Sequence, residues 1–242
     1  MAIRPIFRPV FDGFPYVESV DIEFEWHPGF SKTQAQKSIK SLHQSAEKRG
    51  ISPLLEISSK STNPIGVSLS AFNLPIQIGS GQKISVECAY QGSKIFEKSG
   101  PYEDLYLVSS REAKKDPRIR KSGEIIAFCF QDQEFPICPI HAFYDWLYIS
   151  ALWQNLQSAQ QTLEFNGFSD IAFNPTRSFN CQARSAALFV SLYKSNLVDR
   201  VIEDRDYYLN LVSNKGKEES SYPKQLEFPD MKIVSSGKEA KD

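Results

Sequence analysis

Residues 139–155, PIHAFYDWLYISALWQN, constrain the fold more than any other stretch of this chain. Phe143, Trp146, Leu147, Ser150 and Leu152 recur at helical spacing, which predicts an amphipathic helix packed through that face. Before it, Val17 to Trp26 alternates Val20, Ile22, Phe24 and Trp26 against acids, the period of a half-buried strand. Pro5, Pro9 and Pro15 exclude a long helix ahead of that strand. Ser31 is placed to cap a helix that runs to Lys48 and stops at Gly50. Leu54–Ser58 reads as a short strand. Gly66 to Ile78 reads as two strands around the small polar stretch Leu69-Ser70-Ala71-Phe72-Asn73. Residues 85–98 read as a helix stopped at Gly100-Pro101, and 102–116 as a helix ended by Pro117. Glu124–Phe130 is strand-like and is followed by a polar turn. Residues 163–168 read as extended, Ser169–Arg184 as a polar loop and Ala186–Val198 as the last helix. The chain then becomes charged and rich in Gly and Ser. Residues 214–242 are expected to be a mobile tail, with one short docking piece at Leu226–Met231.

Of the 242 residues, 41% are hydrophobic and 24% charged, an ordinary globular balance. The formal net charge of −1 gives no global field toward nucleic acid, so such a partner has to be held by a local patch. Cys88, Cys129, Cys138 and Cys181 form no CxxC pair, and His27, His43 and His141 are scattered. No metal and no cofactor are expected, and the cysteines read as buried thiols of a reducing compartment. No apolar run approaches ~18 residues and the first residues lack the apolar region of a signal peptide. No membrane partner is expected, and the cytoplasm is the expected location.

One short segment carries chemistry. After Ser85, Glu87, Gln91 and Lys94 follow at i, i+4 and i+7. At helical spacing they share a stripe roughly 60° wide, while Cys88, Ala89 and Phe96 point the other way. Two readings are open: a solvated stripe with a weak Glu87–Gln91 pair, or the wall of a cleft that aims an acid, an amide and a cation at a ligand. The segment 111–121, REAKKDPRIRK, is the best local patch for nucleic-acid phosphates through Arg111, Lys114, Lys115, Arg118 and Arg120. The alternative is a solvated helix face.

In order along the chain, these segments resemble the NADAR family, named for its link to NAD and ADP-ribose chemistry. The resemblance rests on Ser85, Glu87, Gln91, Lys94 and Phe96, on the upstream stretch Leu69–Asn73, and on Asp170 with Phe173 and Arg184 downstream. It spans about 65–200. The chain differs from the family pattern in having Phe173 in place of a Trp, Ala183 ahead of Arg184 in place of Asn, and no Gly-rich loop. The resemblance implies an α+β, mostly helical NADAR-like domain with a few short strands and an N-terminal extension. The expected division is an extension over 1–64 packed on the core, a catalytic domain over 65–205 and a charged, largely flexible tail over 206–242.

The long N-terminal region resembles the subfamily associated with DarT-type toxins, which ADP-ribosylate bases in DNA. That implies a hydrolase that removes ADP-ribose from guanine in DNA, more readily single-stranded, and serves as antitoxin to a cognate DarT-type toxin. Cleaving an N-glycosidic bond builds positive charge on the ribose and negative charge on the leaving base, which calls for two carboxyl groups. The resemblance assigns Glu87 as main acid or base and Asp170 as second carboxylate or orienter. Lys94 would hold a phosphate, polarise a hydroxyl or attack a ring-opened ribose. Ser70, Asn73 and Gln91 would bind ribose or diphosphate, Phe72 and Phe173 would stack on a base, and Arg184 would contact the ligand. Two other functions stay open: an N-glycosidase of a small ribosylated metabolite, and a catalytically silent module that neutralises a toxin by contact.

Overall fold

The computed structural model describes residues 1–176 and 178–213. The expected docking piece at Leu226–Met231 lies outside them. The chain starts with strands β1 (Ala2–Pro9) and β2 (Val17–Phe24) and helix α1 (Lys32–Glu47), whose cap Ser31 accepts from the Gln34 amide at 3.2 Å. Next come β3 (Leu54–Glu56), α2 (Pro64–Ser68), β4 (Pro75–Gln77), β5 (Lys83–Ser85), α3 (Val86–Gly92) and β6 (Lys94–Phe96). A 3-10 turn over Glu103–Leu107 leads to α4 (Ser110–Lys115), α5 (Arg118–Lys121), β7 (Ile125–Phe130) and β8 (Gln133–Pro136). Then follow α6 (Ala142–Gln154), α7 (Leu156–Thr162), β9 (Gly167–Ser169), α8 (Gln182–Lys194), α9 (Val198–Glu203) and α10 (Arg205–Val212). The result is an α+β fold with three small sheets. Among the described residues no helix is long and apolar enough to cross a membrane.

The first sheet has the order β2-β1-β9-β3. β1 and β2 form a hairpin from Ala2↔Phe24 to Pro9↔Val17, and β1 meets β9 only at Phe7↔Phe168. Pro5 is tolerated within β1 because that single bridge leaves no second ladder for it to interrupt. β3 runs parallel to β9, pairing Leu54↔Gly167 to Glu56↔Ser169. The strands of the first 64 residues thus share a sheet with a strand from the far side of the chain. The other sheets are β4-β5 and β6-β7-β8. The expected turn after β7 is a two-residue hairpin with Gln131 and Asp132 both at positive φ.

α6 is the centre of the fold and departs from the amphipathic expectation. Every residue from Ala142 to Leu152 is buried. α3, α7, α8, α9, α10 and strands β4 and β8 surround it. Two of its polar side chains find distant partners: Tyr148 Oη donates to the Leu69 carbonyl at 2.7 Å and Trp146 Nε1 to the Val201 carbonyl at 3.1 Å, whereas Ser150 Oγ is buried without one among the described residues. A helix whose largest polar groups are satisfied in this way can be enclosed on all sides.

Four further expectations change. The first of the two strands expected over 66–78 is the helix α2, because Asn63 caps it (Oδ1 accepts from the Ile65 amide at 2.9 Å) and Pro64 suits its first turn. The helix expected over 102–116 is split: the 3-10 turn ends at Leu107, and Ser109 starts α4 with a capping box to Glu112. Residues 206–212, expected within the flexible tail, belong instead to α10, which is capped by Asp204 and buries Tyr208, whose hydroxyl donates to the Ala142 carbonyl at 2.9 Å; residues 214–242 lie outside those described. The cysteines are not uniformly buried: Cys88 and Cys181 are, Cys129 is half-buried, and Cys138 is exposed on the connection from β8 to α6.

Gly66 of α2 lies tight against the backbone of β3. A Cβ there would lie 1.9 Å from the Glu56 carbonyl oxygen and 2.6 Å from Ser61 Oγ. Because the nearer atom is backbone, the two elements have to separate to admit a methyl group. Gly66→Ala should therefore cost about 3 kcal/mol, seen as a lower midpoint in urea. An unchanged midpoint would mean that α2 floats free of β3.

Candidate functional site

α3 begins where β5 ends. Ser85 is extended, and its hydroxyl accepts from the Cys88 amide at 3.1 Å, which starts the helix and places Glu87 in its first turn. The helix ends at Gly92, short of the expected 98. The ring of Tyr106 lies 2.4 Å from where a Cβ of Gly92 would sit, and the Tyr102 amide takes the Gly92 carbonyl at 2.7 Å. β6 then pairs with β7, with Lys94 opposite Phe128. Lys94 is thus on a strand, not two helical turns beyond Glu87.

The three polar residues nevertheless converge. Gln91 Nε2 donates to Glu87 Oε1 at 2.9 Å, and Lys94 Nζ donates to Gln91 Oε1 at 2.6 Å. Glu87, Gln91 and Lys94 are 5%, 6% and 5% exposed, which rules out the solvated stripe. Lys94 Nζ also lies 4.6 Å from the centre of the Tyr90 ring, a cation–π contact. Burial, opposed by Glu87 and aided by the charge of Lys114, brings the Lys94 ammonium down to about 8.

Lys114, expected in the nucleic-acid patch, faces this cluster from α4. Its Nζ is 3.7 Å from Glu87 Oε1 and 5.1 Å from the centre of the half-buried Phe72 ring. Ser110 fixes α4 here: its hydroxyl donates to the Phe72 carbonyl at 2.9 Å and meets Ser85 Oγ at 2.8 Å. Ser70 is buried, whereas Asn73 is exposed and shapes the turn, with Nδ2 donating to the Val67 carbonyl at 2.8 Å.

Asp170 approaches from the end of β9. A bridge of hydrogen bonds links it to α3: Gln182 Nε2 donates to Asp170 Oδ2 at 3.0 Å, Gln182 Oε1 accepts from the Ala71 amide at 2.8 Å, and the Ala71 carbonyl accepts from the Glu87 amide at 2.9 Å. Burial pushes Asp170 up to about 6, against the hydrogen bonds from Ala172 and Gln182 and the charge of Lys114. Lys114 therefore acts on both carboxyl groups. Gln182 was not singled out in the sequence, although it stands two residues before Arg184. Glu56 was also missed; it is buried beside Asp170, and a charged residue inside the apolar run Leu54-Leu55-Glu56-Ile57 was the available signal.

Other expected site residues have structural occupations. Phe173 packs edge-on against Phe7 with ring centres 6.0 Å apart. Arg184 forms an ion pair with buried Asp145 of α6. Arg118 pairs with Asp104 at 2.6 Å and Asp116 at 2.9 Å and covers the Tyr102 ring, so it braces the 3-10 turn and α5. Arg111, Lys115 and Arg120 are exposed and enter no ion pair among the described residues.

The fold and the site define an α+β protein with two carboxyl groups and two ammonium groups gathered from four segments. The family model of the DarT1-associated NADAR antitoxin matches residues 2–222, and the chain belongs to that family. No curated protein matches it.

Proposed function

We propose that the protein hydrolyses the N-glycosidic bond between ADP-ribose and a guanine base of DNA, and thereby acts as antitoxin to a DarT1-type toxin. The family supports the antitoxin role and ADP-ribosyl hydrolysis. The observation that carries the chemistry is the bridge from the Glu87 amide through Ala71 and Gln182 to Asp170, which ties two carboxyl-bearing segments together, with Lys114 beside Glu87 and its charge felt at Asp170. Carboxyl groups whose surroundings differ in this way divide into base and acid. Glu87, with the Gln91 amide and Lys114 beside it, acts as the carboxylate: it stabilises the ribosyl cation and takes a proton from water. Asp170, raised by burial, gives its proton to the leaving base. The bond from the anomeric carbon of the ADP-ribose to the guanine nitrogen breaks, a bond from that carbon to water oxygen forms, and the guanine, still joined to its DNA strand, leaves with the proton from Asp170. Lys94 orients Gln91 and meets ligand oxygens from the inner side. The half-buried Phe72 offers a face for the base.

The test is release of ADP-ribose, followed by chromatography, from a single-stranded oligonucleotide bearing an ADP-ribosylated guanine, with a small ribosylated metabolite in parallel. Release from the oligonucleotide alone supports the proposal; release from the metabolite alone transfers the site to small-molecule chemistry.

Arg111 and Lys115 share α4 with Lys114, and Arg120 follows on α5, so exposed cations border the site. Changing all three to Ser should raise KM for the oligonucleotide about tenfold at unchanged kcat and flatten the salt slope by about 2. A variant with the wild-type salt slope would show that the strand lies elsewhere.

A further inference from the structure

Glu56, at the end of β3, is 2% exposed and grips the residues on both sides of Asp170. Its Oε2 accepts from Ser169 Oγ at 2.5 Å and its Oε1 from the Ile171 amide at 2.9 Å. No cation among the described residues forms an ion pair with it. A buried carboxylate without a cation is costly, and two carboxyls in one site do not readily both ionise. Resting on the hydrolase reading above, we propose that Glu56 is a positioning residue: it clamps the turn that carries Asp170 through Ser169 and Ile171 and, buried without a cation, holds a proton that it hands to Asp170 as Asp170 protonates the leaving base.

The surroundings agree with a one-proton pair. Burial, with the Asp170 charge adding to it, pushes Glu56 up to about 8, while Asp170 stands at about 6. From α1, His43 Nε2 meets Ser169 Oγ at 2.8 Å, and burial holds that imidazole down to about 4, so it is neutral. A neutral imidazole and a serine hydroxyl can reverse their donor and acceptor roles, so the chain His43–Ser169–Glu56 serves both protonation states of Glu56. From α4, Lys114 draws Asp170 down. From α6, Tyr144 and Tyr148, and ahead of α8, Cys181, are raised chiefly by burial and also by Asp170, so all three stay neutral. From about 6 to about 8 one proton thus stays on the two carboxyls, held by Glu56 while Asp170 is ionised.

The experiment is the pH profile of ADP-ribose release from the ADP-ribosylated oligonucleotide by the full chain and by Glu56→Gln, with carbon-13 NMR titration of side-chain carboxyls in both. The alkaline limb should move from near 8 in the wild type to near 6 in the variant, with activity retained at more acid pH. NMR should show two raised, coupled carboxyl titrations in the wild type and one in the variant. An unmoved limb with a uniform loss of rate would reduce Glu56 to a structural clamp and overturn the proposal. Should the wild type release nothing, the hydrolase reading fails. The wild-type NMR titration then decides the pair by itself, and two ordinary carboxyl titrations would end it.

Discussion

Glu87→Gln should lower ADP-ribose release by roughly 10²–10⁴-fold, the range for loss of a positioned acid or base. The substitution keeps the shape, and a glutamine carbonyl can still accept from Gln91. What disappears is the negative charge facing the ribosyl cation and the basic oxygen that takes the proton of water. The same variant reports on Lys94. Burial has lowered the Lys94 ammonium from 10.5 to about 8, with Glu87 acting in the opposite direction. The unfolded chain therefore binds the proton more tightly than the folded one, and stability rises with pH between the folded and unfolded values. Without Glu87 the folded value falls further. Glu87→Gln should consequently be less stable than the wild type at pH 6, with the gap narrowing as pH rises toward about 8 and closed above it, where Lys94 is neutral in both folded proteins. Thermal melts at several pH values read this directly. A variant with wild-type turnover would remove Glu87 from the mechanism, and a pH-independent gap would remove Lys94 from its electrostatic neighbourhood.

Local signals carried over well where the chain decides its own conformation. The Ser31 cap and the Gly50 stop bracket α1, and the alternation of Val20, Ile22 and Phe24 is realised in β2. The polar cluster was legible as a set of residues but not as a piece of structure. Glu87, Gln91 and Lys94 meet as the spacing suggested, yet Lys94 reaches the others from a strand. The helix is stopped by the Tyr106 ring and by pairing of β6 with β7, both tertiary. α6 looked amphipathic because Tyr148 and Asp145 count as polar when read along the sequence; their partners are Leu69 and Arg184, far away in it. Glu56 was hidden for the same reason, since Ser169 and Ile171 lie 113 and 115 residues downstream. The basic segment shows the converse: its run of cations looked uniform, but Lys114 turns to Glu87 and Arg118 to Asp104 and Asp116.

Arg184→Met should destabilise the fold by about 3–5 kcal/mol at pH 8, the cost of leaving one member of a buried ion pair uncompensated. The Asp145 side chain is 3% exposed, whereas that of Arg184 is 28% exposed, so the carboxylate is the member with no access to water. Ser185 Oγ still donates to Asp145 Oδ1 at 2.6 Å, but one hydroxyl does not replace a guanidinium. Urea midpoints are the readout. Asp145→Asn in the same background tests the cause, because a neutral amide at 145 removes the uncompensated charge and should restore part of the stability at pH 8. If the double variant recovers nothing, the damage lies in lost packing between α6 and α8. A ligand-binding Arg184, as the family resemblance implies, would behave differently: stability would be nearly unchanged and KM for the ADP-ribosylated oligonucleotide would rise.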